Sequence, residues 1–135
     1  MEKKYLAKII ATDNEGLQTI SACCSGAKIK VRDIKYLEKN KVFLLSVKRN
    51  KNEIYQKDKK INSICRFDFI DKVKSKNIDQ NNNDLVLELL AIDYMKNKND
   101  FEINLIFEKK AHIALTAETI EVRLEDQSEI DENIR

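Results

Sequence analysis

Period-two alternation runs through most of this chain, and it restricts the fold to one built on β-sheet. Phe101, Ile103, Leu105 and Phe107 alternate with Glu102, Asn104 and Glu108, broken only by Ile106. Successive side chains of a strand point to opposite faces, so this segment buries one face and wets the other. Ile113, Leu115 and Ala117 repeat the pattern, and Ile120, Val122 and Leu124 resume it on the opposite parity. Such a switch predicts a β-bulge near Glu118. A similar switch between Ile29-x-Val31 and Ile34-x-Tyr36 predicts a bulge near Arg32-Asp33. Ile61, Cys65, Phe67, Phe69 and Val73 share one parity and predict a single long strand. Val42 to Val47 is apolar on both parities, as in a strand covered on both faces. Leu85 to Met95 is the most apolar segment and reads as a central strand, with a short buried helix as the alternative.

The turns between these segments come from Asn, Asp and Lys, because the chain has no proline and two glycines. They fall at Glu38 to Lys41, Asp79 to Asp84, Lys96 to Asp100 and Lys109-Lys110, and a charged loop spans Asn50 to Lys60. One helix stands out. After a strand over Tyr5 to Ala11, Thr12 and Glu15 have capping-box spacing. Leu17, Ile20 and Cys24 then line one helical face, and Gly26 sits where a left-handed cap is wanted. The order β-α-β-β, loop, and four further strands with short turns predicts an α+β fold. Its core is a mainly antiparallel, strongly bent sheet or half-barrel of about seven strands with one N-terminal helix. Residues 1–126 form one domain in this reading, followed by an acidic tail over 127–135. Lys28-Ile29-Lys30-Val31-Arg32 reads as a charged strand that protects a sheet edge by repulsion.

At 135 residues the chain is long enough to bury a core without metal or disulfide, and 36% charged residues cover it. Three cysteines without bridging spacing fit a reducing compartment, and no segment reads as a signal peptide or membrane span. A cytoplasmic protein without membrane contact is expected. His112, the only histidine, has no sequence relation to Cys23, Cys24 or Cys65 that would make a nucleophilic pair. The cysteines lack zinc-site spacing, and two glycines cannot build a phosphate loop. Asp68, Asp71 and Asp93 read as solvent-facing strand residues. No catalytic residue, metal or cofactor is expected, and the balance leans away from an enzyme.

Several segments together are similar to a bacterial domain-of-unknown-function family, DUF 2948, found mainly in alphaproteobacteria. They are Leu6-Ala7-Lys8-Ile9-Ile10-Ala11, Leu17-Gln18-Thr19-Ile20-Ser21-Ala22, Val31 to Leu37, Cys65-Arg66-Phe67-Asp68, Leu89-Leu90-Ala91-Ile92 and Ile113 to Asp126. The resemblance covers almost the whole chain and implies an alphaproteobacterial, cytoplasmic protein. It transfers no activity, ligand or catalytic residue.

Two charge blocks remain. Lys48, Arg49, Lys51, Lys57, Lys59 and Lys60 form a basic segment, and Glu118, Glu121, Glu125, Asp126, Glu129, Asp131 and Glu132 an acidic one. The leading expectation is a small non-catalytic binding or scaffolding module whose partner is another protein or a second copy of itself, with the balance leaning to a monomer. The alternative is weak, sequence-independent binding of RNA or another polyanion through the basic 48–60 segment. Tyr55 is the only aromatic there, so base stacking contributes little. An enzyme of unrecognised type is the third reading.

Overall fold

The computed structural model of the protein describes residues 8–50 and 60–130. Among them are one α-helix and ten strands in one antiparallel sheet that does not close. The elements are β1 (Lys8–Ala11), α1 (Asn14–Cys24), β2 (Lys28–Lys30), β3 (Ile34–Leu37), β4 (Val42–Asn50), β5 (Lys60–Phe67), β6 (Ile70–Lys76), β7 (Val86–Lys96), β8 (Phe101–Phe107), β9 (His112–Ala117) and β10 (Val122–Ile130). The sheet order is β1-β10-β5-β4-β2-β7-β8-β9-β6, with β3 pairing β4 off this path.

The α+β class and antiparallel sheet agree with the sequence reading; the count of seven strands does not. Each of the three extra strands comes from a segment expected to be continuous. A 3-10 turn at Val31–Asp33 separates β2 from β3 in place of a bulge. The long strand over 61–73 breaks at Phe69, whose φ of 60° turns the chain between β5 and β6 and leaves its ring exposed. The switch near Glu118 likewise divides β9 from β10. A bulge keeps both halves of a strand on one partner. At two of the three corners the halves part company: β5 pairs β4 and β10 whereas β6 pairs β9, and β9 pairs β6 and β8 whereas β10 pairs β1 and β5. Strands β2 and β3 both stay on β4, with the 3-10 turn inserted between them. The backbone at the Phe69 corner is pinned on three sides, by Asp68 N to Glu121 O at 3.0 Å, Glu118 N to Phe69 O at 3.0 Å and Ile70 N to Lys41 O at 2.8 Å.

Helix α1 starts one residue later than its capping-box spacing implied. Asp13, not Thr12, is the N-cap, and its Oδ1 accepts from Gly16 N at 2.8 Å. Leu17, Ile20 and Cys24 are fully buried, and Ser21 Oγ accepts from Ile92 N at 2.9 Å, tying the helix to β7. Gly26 has φ 84°, the expected left-handed cap, and its N–H reaches Leu89 O at 2.7 Å. The 85–95 segment is strand β7, with Leu87, Leu89 and Ile92 buried between β2 and β8. Two further expectations shift. Strand β2 lies between β4 and β7 and guards no edge. Strand β10 continues to Ile130 against β5, so the acidic stretch after Asp126 begins as sheet. Of the predicted strand over Tyr5 to Ala11, residues 5–7 lie outside the described residues.

Candidate anion-binding face

Alternation along β2, β4, β5 and β10 sorts side chains onto two faces of the sheet. Ile29, Val47, Arg49, Ser63, Cys65, Leu124 and Asp126 are buried, while Lys28, Lys30, Ser46, Lys48, Asn62 and Arg66 lie on the exposed parity. Register then places like charges side by side on the outer face. Lys28 stands directly opposite Lys48, and Arg66 directly opposite Arg123. Like charges in facing positions destabilise a strand pair.

Lys28 is partly relieved by Glu88, its other cross-strand neighbour, with which it forms an ion pair and a hydrogen bond. That hydrogen bond raises the Lys28 ammonium above its ordinary value and lowers the Glu88 carboxyl below its own. Lys30, Lys48 and Lys60 make no ion pair among the described residues. Together with Lys28 they line a groove of about 590 Å³, which Ser46, Asn62 and Gln127 furnish with hydroxyl and amide groups. Among the described residues that line it, Asp33 is the one carboxylate and none is aromatic. A second hollow of about 280 Å³ shares Ile64 and Gln127 with the groove and holds Arg66, Arg123 and Glu125. Its arginines lean on nearby carboxylates, Arg66 on Asp68 at 3.0 Å and Arg123 on Glu121 at 3.7 Å. Arg123 Nε is buried without a hydrogen-bond partner among the described residues.

The basic segment expected from the sequence is divided by the structure. Lys48 and Lys60 line the groove. Arg49 does not belong with them: it points inward and is 4% exposed. Its Nη2 donates to both oxygens of Asp126 at 2.9 Å, its Nε lies 3.2 Å from Asp126 Oδ1 and Ser63 Oγ, and Ser63 donates to Asp126 at 2.6 Å. Lys51, Lys57 and Lys59 lie outside the described residues. Lys28 and Lys30 were absent from the expected site, although their Lys-Ile-Lys alternation already marked one basic face.

The other candidates lie apart from this face or make contacts within the fold. Asp68 is nearly buried against Arg66 and not solvent-facing, Asp71 pairs with Lys41 at 2.9 Å, and Asp93 is exposed. His112 Nε2 lies 2.9 Å from Asn104 Oδ1. Cys24 and Cys65 meet under β5 and share a hydrogen bond, which lowers the Cys24 thiol and, with burial, pushes Cys65 up.

Fold and face together define a small α+β domain, one helix on an open antiparallel sheet, with a basic outer surface. Residues 7–133 match the family described as "Protein of unknown function (DUF2948)", and the chain belongs to that family. No curated protein and no solved structure matches it. Among the described residues no helix is long and apolar enough to cross a membrane.

Proposed function

We propose that this domain is a non-catalytic binding module whose lysine groove holds a polyanion, such as single-stranded RNA, through its phosphates. The observation that carries this reading is Lys28 facing Lys48 across one ladder, with Lys30 and Lys60 lining the same groove. An anion between opposed ammonium groups relieves the part of their repulsion that Glu88 does not offset. Lysines act as point charges without the planar fork that reads a base, and the described residues of the groove include no ring for stacking, which favours weak binding independent of sequence. The adjoining arginine hollow lengthens the basic track across β5 and β10, which favours a chain over a single small anion.

A protein partner or second copy adding a strand would pair at a free edge among the described strands, the sheet ends β1 and β6 or the off-path strand β3 with its Lys35. The sheet ends also carry lysines, Lys8 on one and Lys72, Lys74 and Lys76 on the other, which oppose strand addition. The same reading takes the sheet as strongly bent, since β3 and β6 share no ladder yet line one cleft. It places the protein in a reducing compartment, the cytoplasm, because no disulfide joins its cysteines.

Fluorescence anisotropy with a labelled single-stranded RNA of about a dozen nucleotides tests the reading. Three to four phosphate contacts predict that affinity falls ~20- to 50-fold between 50 and 200 mM salt. The double variant Lys48→Glu, Lys60→Glu should lose binding while keeping its circular dichroism spectrum. Salt-independent binding, or none at 50 mM salt, contradicts the proposal.

A further inference from the structure

The arginine hollow beside the lysine groove differs from it in chemistry. Register puts Leu44, Arg66 and Arg123 in one row across β4, β5 and β10, and Ile64 and Glu125 in the next row on the same face. Successive rows on one face of a strand lie about 7 Å apart, so these side chains ring one small space. Its volume of about 280 Å³ has room for a single ring system and not for a whole ligand. It is continuous with the groove, because Ile64 and Gln127 line both.

Charge does not make the hollow a second phosphate site of the same kind. Each cation there already has a carboxylate: Arg66 has Asp68 at 3.0 Å, Arg123 has Glu121 at 3.7 Å, and Lys8 on the neighbouring strand has Glu125 at 3.7 Å. A phosphate therefore gains less here than between lysines that have no ion pair. The same pairing prepares a flat surface. Arg66 donates to Asp68 Oδ1 through Nε at 3.1 Å, and its Nη2 lies 3.0 Å from the same oxygen. That contact holds one edge of the guanidinium and leaves its faces for stacking, and the side chain is 49% exposed. An arginine plane is a platform for a nucleobase. Leu44 and Ile64, both partly buried, add apolar surface beside it, and Glu125 adds an acceptor that cannot donate.

We propose that the hollow receives one guanine base of the strand whose phosphates the lysine groove holds, stacked on Arg66 with its N1–H and N2–H donated to Glu125. This rests on the lysine groove holding such a strand, and it adds a base-selective contact to a groove that is itself blind to sequence. The acceptor singles out guanine. Its Watson–Crick edge alone among the RNA bases presents two adjacent donors, which match the two oxygens of one carboxylate. Adenine and cytosine set an acceptor beside their amino group, and uracil sets one on each side of its N3–H, so each turns a lone pair toward Glu125.

Fluorescence anisotropy at low salt tests it with labelled oligouridylate of about a dozen nucleotides and the same strand carrying one central guanine or one central adenine. The guanine strand should bind about threefold or more tightly than oligouridylate, the low end of one added base contact once the many registers of a uniform strand are counted. It should also bind more tightly than the adenine strand. Arg66→Lys keeps the charge and removes the plane, and Glu125→Gln turns one acceptor into a donor. Both should bring the guanine-to-uridine ratio close to one, with circular dichroism confirming the fold. The ratio is the readout because it cancels the general effect of charge on a polyanion. Equal affinity of the strands for the native protein overturns the inference and leaves the groove standing, as does a guanine preference that survives either variant. Absence of binding by every strand overturns the groove reading and this inference with it.

Discussion

Asp126→Asn should cost this domain more stability than its conservative appearance implies. Arg49 and Asp126 have side chains 5% and 1% exposed, so their charges face each other out of water. Breaking a buried pair by neutralising one member leaves the other charge uncompensated, at about 3–5 kcal/mol. An asparagine keeps one accepting oxygen, and Arg49 Nη1 retains its 3.2 Å bond to Asn50 O, so the lower end, about 3 kcal/mol, is expected. For a chain of this length that lowers Tm by roughly 10 °C. Urea unfolding followed by circular dichroism measures it. The triple variant Arg49→Met, Ser63→Ala, Asp126→Leu replaces these three polar side chains together and should recover most of the loss, since an apolar replacement of a buried pair is often neutral. A loss below about 1 kcal/mol for Asp126→Asn would refute the claim that this pair is desolvated and coupled.

Three further outcomes follow from particular contacts. Gly16→Ala should destabilise by about 1–3 kcal/mol, because its new Cβ would sit 2.9 Å from Ala11 Cα, whereas Gly26→Ala meets no atom within 4 Å and should cost about 1–2 kcal/mol through its φ of 84° alone; denaturant melts of both separate the two causes. Glu88 owes its lowered carboxyl chiefly to Lys28, so its stabilising contribution is present above the ordinary value of 4.5 and is lost as pH falls through the lower folded value. In Lys28→Ala the Glu88 carboxyl should titrate higher by carbon-detected NMR, and an unchanged midpoint would deny the pair. Cys24 and Cys65 are fully buried, so iodoacetamide should reach them only through opening of the fold, about a hundredfold faster in Asp126→Asn, and fast alkylation of the native protein would contradict the packing.

The sheet was legible in the sequence because alternation is local. Phe101 to Phe107 shows its buried parity without reference to any partner, and Gly26 announces the end of α1 in the same way. The corners were not legible. A parity switch at Arg32-Asp33 or Glu118 looks the same whether the strand bulges on one partner or leaves it for another, and only long-range pairing decides. Phe69 misled for a related reason: its parity matched Phe67, but a left-handed backbone at a bulky residue is enforced by Glu118, Glu121 and Lys41, all remote in sequence. Arg49 sits between Lys48 and Asn50 and reads as surface by composition. Its parity with Val47 pointed inward, but the carboxylate that permits burial lies 77 residues away. The lysine groove is likewise a product of register, since Lys28 and Lys48 become neighbours only once β2 docks on β4.

The central claim is that the outer face of β2, β4 and β5 is where a polyanion binds. Amide and lysine side-chain chemical shifts of the labelled protein, followed as single-stranded RNA is added at low salt, locate that contact directly. The account predicts shifts at Lys28, Lys30, Lys48, Lys60 and Asn62, extending to Arg66 and Arg123, that reverse as salt is raised. Shifts confined to residues away from this face, or none at saturating RNA, would contradict it.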